Sequence, residues 1–223
     1  MTADRFQDVA APSTSALRDR IQRAGLLTAV RNIRGAVRGD VRNWVRAGCP
    51  APAPNVVKMS VVEANTRMYN AELFVETGTF LGSMVAHLAA SGIPCKTIEI
   101  VPAIHHRARR ILARYKNIDL ILGDSEVEIP KILNGLDRPA SFWLDGHYSG
   151  SNTGKGGLDT PISAELDAIL NHSIKKHVIM IDDARDFVGK DGYPYLSQVL
   201  AKFDDNPDYK AGVHSDIIVI TPR

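Results

Sequence analysis

Residues 142–162 read FWLDGHYSGSNTGKGGLDTPI, and the rest of the chain is organised around this stretch. The apolar residues Phe142-Trp143-Leu144 predict a buried strand, and Asp145, His147 and Tyr148 follow where that strand should end. Ligand crevices form at the carboxyl ends of the strands in open α/β sheets. The Gly- and Ser-rich segment that comes next predicts a loop long enough to cover such a site.

A strand, turn and helix pattern repeats on both sides of this stretch, from Ala71 onward. Apolar strand candidates begin near Leu73, Cys95, Ile118 and Val178, and apolar residues at helical spacing follow each of them. This alternation predicts a doubly wound, Rossmann-like α/β sheet of seven strands, mostly parallel, with helices on both faces. The last two strands are joined too tightly for a crossover, so the C-terminal strand should be antiparallel.

The chain is predicted to contain an extension over residues 1–55 and one α/β domain over residues 56–223. The extension is rich in arginine and carries apolar residues at three- and four-residue steps from Leu17 to Trp44. This pattern predicts an amphipathic helix, which the Pro-rich segment CPAPAPN ends. An apolar stripe of that length is expected to pack on a second subunit or across the active-site mouth, giving a homodimer. The alternative is a role on an anionic partner or a membrane surface.

The first helix of the α/β domain is expected to begin at Ser60. Ser60 and Glu63 have the spacing of a capping box, in which each side chain accepts a hydrogen bond from a backbone N–H group. The helix should end near Tyr69.

Composition limits the function classes. With 44% hydrophobic and 23% charged residues and a net charge of +2, the chain is typical of a globular protein. Its two cysteines, Cys49 and Cys95, lack the spacing of a thiolate zinc site or a disulfide framework, so we expect a cytoplasmic protein. Neither a signal peptide nor a membrane span is expected. Because many of the arginines are concentrated in the extension, nucleic-acid binding across the domain is not expected.

The turn after the first strand, Glu76 to Gly82, has the pattern E-x-G-x-x-x-G. Its glycines let the backbone approach a ligand closely, and the helix that follows presents backbone N–H groups. An acidic residue in this turn repels a pyrophosphate and suits a cationic group such as an α-ammonium. Glu99, about 20 residues further on, is placed to accept hydrogen bonds from ribose hydroxyls. Asp124, at the end of the third strand, is placed to meet an adenine edge.

Five segments together resemble the successive motifs of class I S-adenosylmethionine-dependent methyltransferases: FVETGTFLGS, TIEIVP, LILGDSEVEIPKIL, FWLDGHYSG and VIMIDDAR. The last of them is similar to the metal-dependent O-methyltransferases, which include the catechol and macrocin enzymes. The resemblance covers roughly residues 60 to 223. It implies methyl-donor contacts from Glu76, Thr77, Gly78, Thr79, Gly82, Ser83, Glu99, Asp124, Ser125 and Asp145.

Carboxylates from two strand ends, Asp145 and the pair Asp182-Asp183, indicate a site for a hard cation. The resemblance implies the same three residues as ligands of Mg²⁺ or Mn²⁺. The acidic pair also has the character of a helix cap. His147 or Asp145 is the expected proton acceptor, although a histidine that merely orders the loop fits the same position.

The sequence therefore predicts a metal-dependent O-methyltransferase. Tyr148 stands where catechol-type enzymes carry a lysine base, so we expect a sugar or another polyhydroxylated small molecule or oligosaccharide as the acceptor. Two other functions are weighed against this one. A nicotinamide-dependent sugar oxidoreductase would require the glycine fingerprint that the chain lacks. A non-enzymatic nucleotide- or RNA-binding module would use the Arg-rich helix.

Overall fold

The computed structural model describes residues 39–146, 161–190 and 192–223. The chain divides into two units between Gly48 and Cys49, and residues 39–46 of the first unit are helical. The rest of the predicted N-terminal helix lies outside the described residues. The packing of the extension and the homodimer therefore stay predictions.

The second unit alternates strands and helices along the chain. Its helices are α1 Asn55–Met68, α2 Ser83–Ala90, α3 Pro102–Leu112, α4 Ser125–Asn134, α5 Ile162–Leu170 and α6 Leu196–Ala201. Its strands are β1 Leu73–Thr77, β2 Cys95–Glu99, β3 Ile118–Leu122, β4 Ala140–Leu144, β5 Val178–Ile181, β6 Tyr209–His214 and β7 Ile217–Pro222. A short 3₁₀ turn, Ala184–Asp186, follows β5.

The strands form one seven-stranded sheet in the order β3-β2-β1-β4-β5-β7-β6. Strands β1 to β5 pair in parallel, whereas β7 is antiparallel to both of its neighbours, β5 and β6. The predicted doubly wound mixed sheet is confirmed. The strand order reverses between β1 and β4, and open α/β sheets place their ligand crevice at the carboxyl ends of such a pair.

Alternating residues of the central strands face opposite sides of the sheet, as the period of a strand requires. In β4, Phe142 and Leu144 pack in a cluster with buried residues of α4, α5 and α6, while Trp143 packs with buried residues of α1, α2 and α3. Every residue of β4 and β5 is buried. The apolar runs in these strands are thus explained by burial on two faces. Within the described part of the chain, no helix is both long and apolar enough to cross a membrane.

The start of α1 differs from the prediction. The helix begins at Asn55, after Pro54, and no side chain caps it. Ser60 lies inside the helix, where its hydroxyl donates to the carbonyl oxygen of Val56 at 2.8 Å. The capping-box prediction for Ser60 and Glu63 was therefore wrong, because a serine in a helix can bond to the preceding turn as readily as it can cap a new one.

Candidate active site at the strand ends

The loops that follow β1 and β4 touch at the point where the strand order reverses. Gly78 has a φ of +79°, and a Cβ atom on it would lie 2.4 Å from the carbonyl oxygen of Asp145. The space beside Gly78 is therefore filled by the protein's own backbone rather than left for a ligand. Sequence reasoning was right that a glycine is needed here, but the contact that requires it is with Asp145.

Glu76 ends one chain of buried hydrogen bonds. The Thr97 hydroxyl donates to Glu76 Oε2 at 2.6 Å, and the Thr79 hydroxyl lies 2.6 Å from that of Thr97. Since Thr97 uses its hydrogen on Glu76, Thr79 is the donor to Thr97. Glu76 is only 2% exposed, and burial raises its pKa well above the ordinary value. No cationic side chain among the described residues pairs with it, so a cationic ligand group fits this carboxyl.

Glu99 holds the loop after β1 in place. Its two carboxylate oxygens accept the backbone N–H groups of Phe80 and Val101, both at 2.9 Å. Phe80 has a φ of +48°, which is uncommon for an aromatic residue, and the residue is 57% exposed. Each carboxylate oxygen can accept a second hydrogen bond, which could come from a ribose hydroxyl. The predicted role of Glu99 toward a ribose stays a prediction.

The remaining predicted donor contacts lie at two helix starts. Asp124 caps α4, where its Oδ1 accepts the N–H of Glu126 at 3.1 Å, and Ser125 is the first residue of that helix. Gly82 precedes Ser83 at the start of α2 with a φ of +76°. A Cβ atom there would lie 2.8 Å from the Leu112 side chain, so packing against α3 already accounts for this glycine.

Glu165 of α5 is a site residue that sequence reasoning missed. It is 1% exposed, and the buried hydroxyl of Thr77 and that of Ser125 lie near its carboxyl, where they favour the ionised form. Within the described residues, neither hydroxyl makes a well-aligned hydrogen bond to it. A Cβ atom on Gly146 would lie 3.0 Å from the Thr77 hydroxyl oxygen and 3.6 Å from Glu165 Oε1. Burial, with the charges of Glu126 and Asp124, raises the pKa of Glu165 to about 7.

The acidic pair after β5 is already bound by a lysine. Lys58 Nζ lies 2.6 Å from Asp182 Oδ1 and 2.9 Å from Asp183 Oδ1, and Lys58 is only 7% exposed. Arg185 Nη1 also donates to Asp183 Oδ1, at 2.7 Å. The ammonium of Lys58 thus supplies the positive charge that we expected from a metal ion.

This arrangement does not fit the predicted metal ion. Among the described residues, no group of three His, Cys, Asp or Glu side chains is placed to hold a metal. The third predicted ligand, Asp145, lies close enough to Glu76 for its negative charge to add to the effect of burial in raising the pKa of Glu76. The helix-cap alternative also fails, because Asp183 precedes the 3₁₀ turn with a φ of +54° and its side chain makes no capping hydrogen bond.

His147 and Tyr148 lie outside the described residues. The predicted role of His147 as proton acceptor, the placement of Tyr148 at the position of a lysine base, and the covering of the site by the Gly- and Ser-rich loop therefore stay predictions.

Solved structures with the same fold include O-methyltransferases. One from Bacillus cereus in complex with S-adenosylhomocysteine is 16% identical, with a TM-score of 0.56 over 85% of this chain and 91% of that one. TomG from Streptomyces achromogenes, an O-methyltransferase of tomaymycin synthesis in complex with S-adenosylmethionine, is 17% identical, with a TM-score of 0.53 over 84% and 89%.

A third structure, S-adenosylhomocysteine-bound PaMTH1 from Podospora anserina, is 14% identical, with a TM-score of 0.55 over 97% of this chain and 100% of that one. No protein-family model matches the sequence, and no curated protein sequence matches it either. The strand order, the site at its reversal and these structural matches agree that the chain has the fold of the class I S-adenosylmethionine-dependent methyltransferases.

Proposed function

We propose that the protein is an S-adenosylmethionine-dependent O-methyltransferase. The observation that carries this proposal is the set of acidic side chains at the carboxyl ends of β1, β2 and β3, beside the reversal of the strand order. These are Glu76, Glu99 and Asp124. The structural neighbours named above support it, since several were solved with this methyl donor or its product bound.

Glu76 is the group that recognises the charged end of the donor in this proposal. Its carboxyl is buried, and no cationic side chain among the described residues pairs with it. Burial of this kind disfavours the ionised form and raises the pKa. A ligand ammonium close to Glu76 stabilises the carboxylate and is attracted by it. Thr97 and Thr79 keep the carboxyl oriented through their hydrogen-bond chain.

Glu99 and Asp124 serve the nucleoside end. Glu99 is fixed by two backbone N–H groups, and each of its oxygens keeps one further lone pair for a ribose hydroxyl. Asp124 uses one oxygen to cap α4. Among the described residues, no donor contacts its other oxygen, which can accept from an exocyclic amino group, and the start of α4 supplies N–H donors.

The donor, when bound, would supply a methyl group on a sulfonium: the C–S bond would break as a C–O bond to the acceptor hydroxyl forms, a neutral thioether would leave, and the hydroxyl proton would pass to a base. The chain contributes proximity and orientation, which account for much of the rate in such reactions. His147 or Asp145 is the proposed proton acceptor. We propose a hydroxyl of a sugar or a similar polyhydroxylated compound as the acceptor. The expected Mg²⁺ or Mn²⁺ has no part in this proposal, because Lys58 binds the acidic pair.

A screen of acceptors with a radiolabelled methyl donor tests the proposal. We expect label to appear in hydroxylated compounds as an O-methyl ether, identified by NMR, and the Asp145→Asn variant to be much slower. Transfer only to amines or thiols would contradict the assignment to hydroxyl acceptors.

A further inference from the structure

Lys58 joins two parts of the domain that are far apart in the sequence. It lies in α1, and its ammonium reaches a buried carboxylate pair 125 positions later in the chain. The ammonium is within hydrogen-bonding distance of Asp182 and Asp183 together. Moving a lysine ammonium and two carboxylates out of water costs free energy, and their mutual attraction must offset that cost. The pairing is therefore unlike a loose ion pair on the surface.

Among the described residues, cationic side chains compensate most of the negative charge around the pair. Lys58 and Arg185 bring two positive charges to Asp182, Asp183 and Asp216, since Arg185 also donates to Asp216. The backbone N–H of Asp183 donates to Asp182 Oδ1 at 2.8 Å, and this is the same oxygen that Lys58 contacts. A divalent ion drawn to these oxygens would have to approach the Lys58 ammonium closely, where like charges repel.

We infer that the ammonium of Lys58 takes the place of a divalent metal ion at this strand end, and that it binds the oxygen of the methyl acceptor there. This inference rests on the proposed function for the presence of an acceptor. The location supports it, because the backbone N–H of Asp182 donates to the carbonyl oxygen of Leu144, the residue before Asp145. The acidic pair therefore adjoins the end of β4 at the candidate site.

The donor count of an ammonium narrows the class of acceptor. Lysine carries three N–H donors, and the two aspartates use two of them within the described residues. One donor remains, which holds one oxygen atom, whereas a magnesium ion can exchange two of its waters for two substrate oxygens. The acceptor therefore need not present two adjacent hydroxyl groups.

Titration of the full-length protein with Mn²⁺, followed by electron paramagnetic resonance, tests this inference. The measurement needs neither the methyl donor nor an acceptor, so its outcome is independent of the proposed function. We expect no stoichiometric Mn²⁺ binding to the wild-type chain at submillimolar metal. We expect Lys58→Met to gain one site per chain, because two buried carboxylates are left with less compensating charge, and the added Asp182→Asn change to remove that site.

Two variants serve as controls. Lys58→Arg keeps the positive charge and should gain no site. Lys96→Met removes a lysine that pairs with Asp119 alone among the described residues, at 2.6 Å on the surface, and should also gain none. Stoichiometric Mn²⁺ binding by the wild-type chain that Asp182→Asn abolishes would overturn the inference, and this measurement needs no Lys58 variant to fold. A folded Lys58→Met variant that gains no Mn²⁺ would overturn it as well.

Discussion

Gly78 and Asp145 are closer together than any side chain on Gly78 would permit, since a Cβ atom there would lie 2.4 Å from the Asp145 carbonyl oxygen. This contact joins the loops after β1 and β4 at the reversal of the strand order. It also changes what a substitution at Gly78 is expected to do. A larger residue should move the Asp145 backbone before it reaches any ligand.

Replacing Gly78 with alanine should lower the free energy of unfolding by several kcal/mol, because it adds a backbone clash to the strain of a positive φ. Gly92→Ala is the matched control, since Gly92 has a φ of +83° but nothing lies within 4 Å of its Cβ position. Its cost should be about 1–2 kcal/mol from backbone strain alone. Equal losses for the two variants in urea denaturation would mean that the Asp145 contact adds no strain.

The free energy of unfolding should change with pH because Glu165 titrates at different pH values in the folded and unfolded chain. Burial raises its pKa from 4.5 to about 7 in the folded chain. The folded state therefore holds a proton that the unfolded state releases, and this stability is present below pH 4.5 and lost as pH rises to about 7. The loss amounts to about 3 kcal/mol.

The Glu165→Gln variant isolates this effect from other titrating groups. Between pH 4.5 and about pH 8, its free energy of unfolding should gain about 3 kcal/mol relative to the wild-type value. Glu72→Gln, at a largely exposed carboxylate, should show no such relative gain. A constant difference between the Glu165→Gln variant and the wild type across this pH range would show that the carboxyl titrates normally.

Removing the Thr97 hydroxyl should weaken the support of Glu76. Thr97→Val keeps the side-chain shape but leaves Glu76 and Thr79 without their shared partner, which should cost about 1–3 kcal/mol. The cost should fall when Glu76 is already alanine, because the Thr97 hydroxyl then has no carboxyl group to bind. A double-mutant cycle measured by urea denaturation checks this, and additive costs would show that the two residues are not coupled.

Local sequence patterns were enough to predict the sheet, since runs such as Val178–Ile181 are buried on both faces and alternate with helices. The acids at the strand ends were also predictable, because topology brings the ends of parallel strands to one edge. Lys58 was not, because nothing within α1 indicates a contact 125 positions away. Glu165 was predictable as a buried carboxyl, because its spacing places it on the same helix face as Ile162, Leu166 and Ile169.

The most direct test of the central claim is calorimetric titration of the purified chain with S-adenosylhomocysteine. We predict one binding site per chain, no binding of NAD, and an affinity at least tenfold weaker in Glu99→Ala, because the loop after β1 loses the carboxylate that holds it. Glu72→Ala, at an exposed carboxylate, should bind as the wild type does. Binding of NAD with no response to S-adenosylhomocysteine would contradict the account.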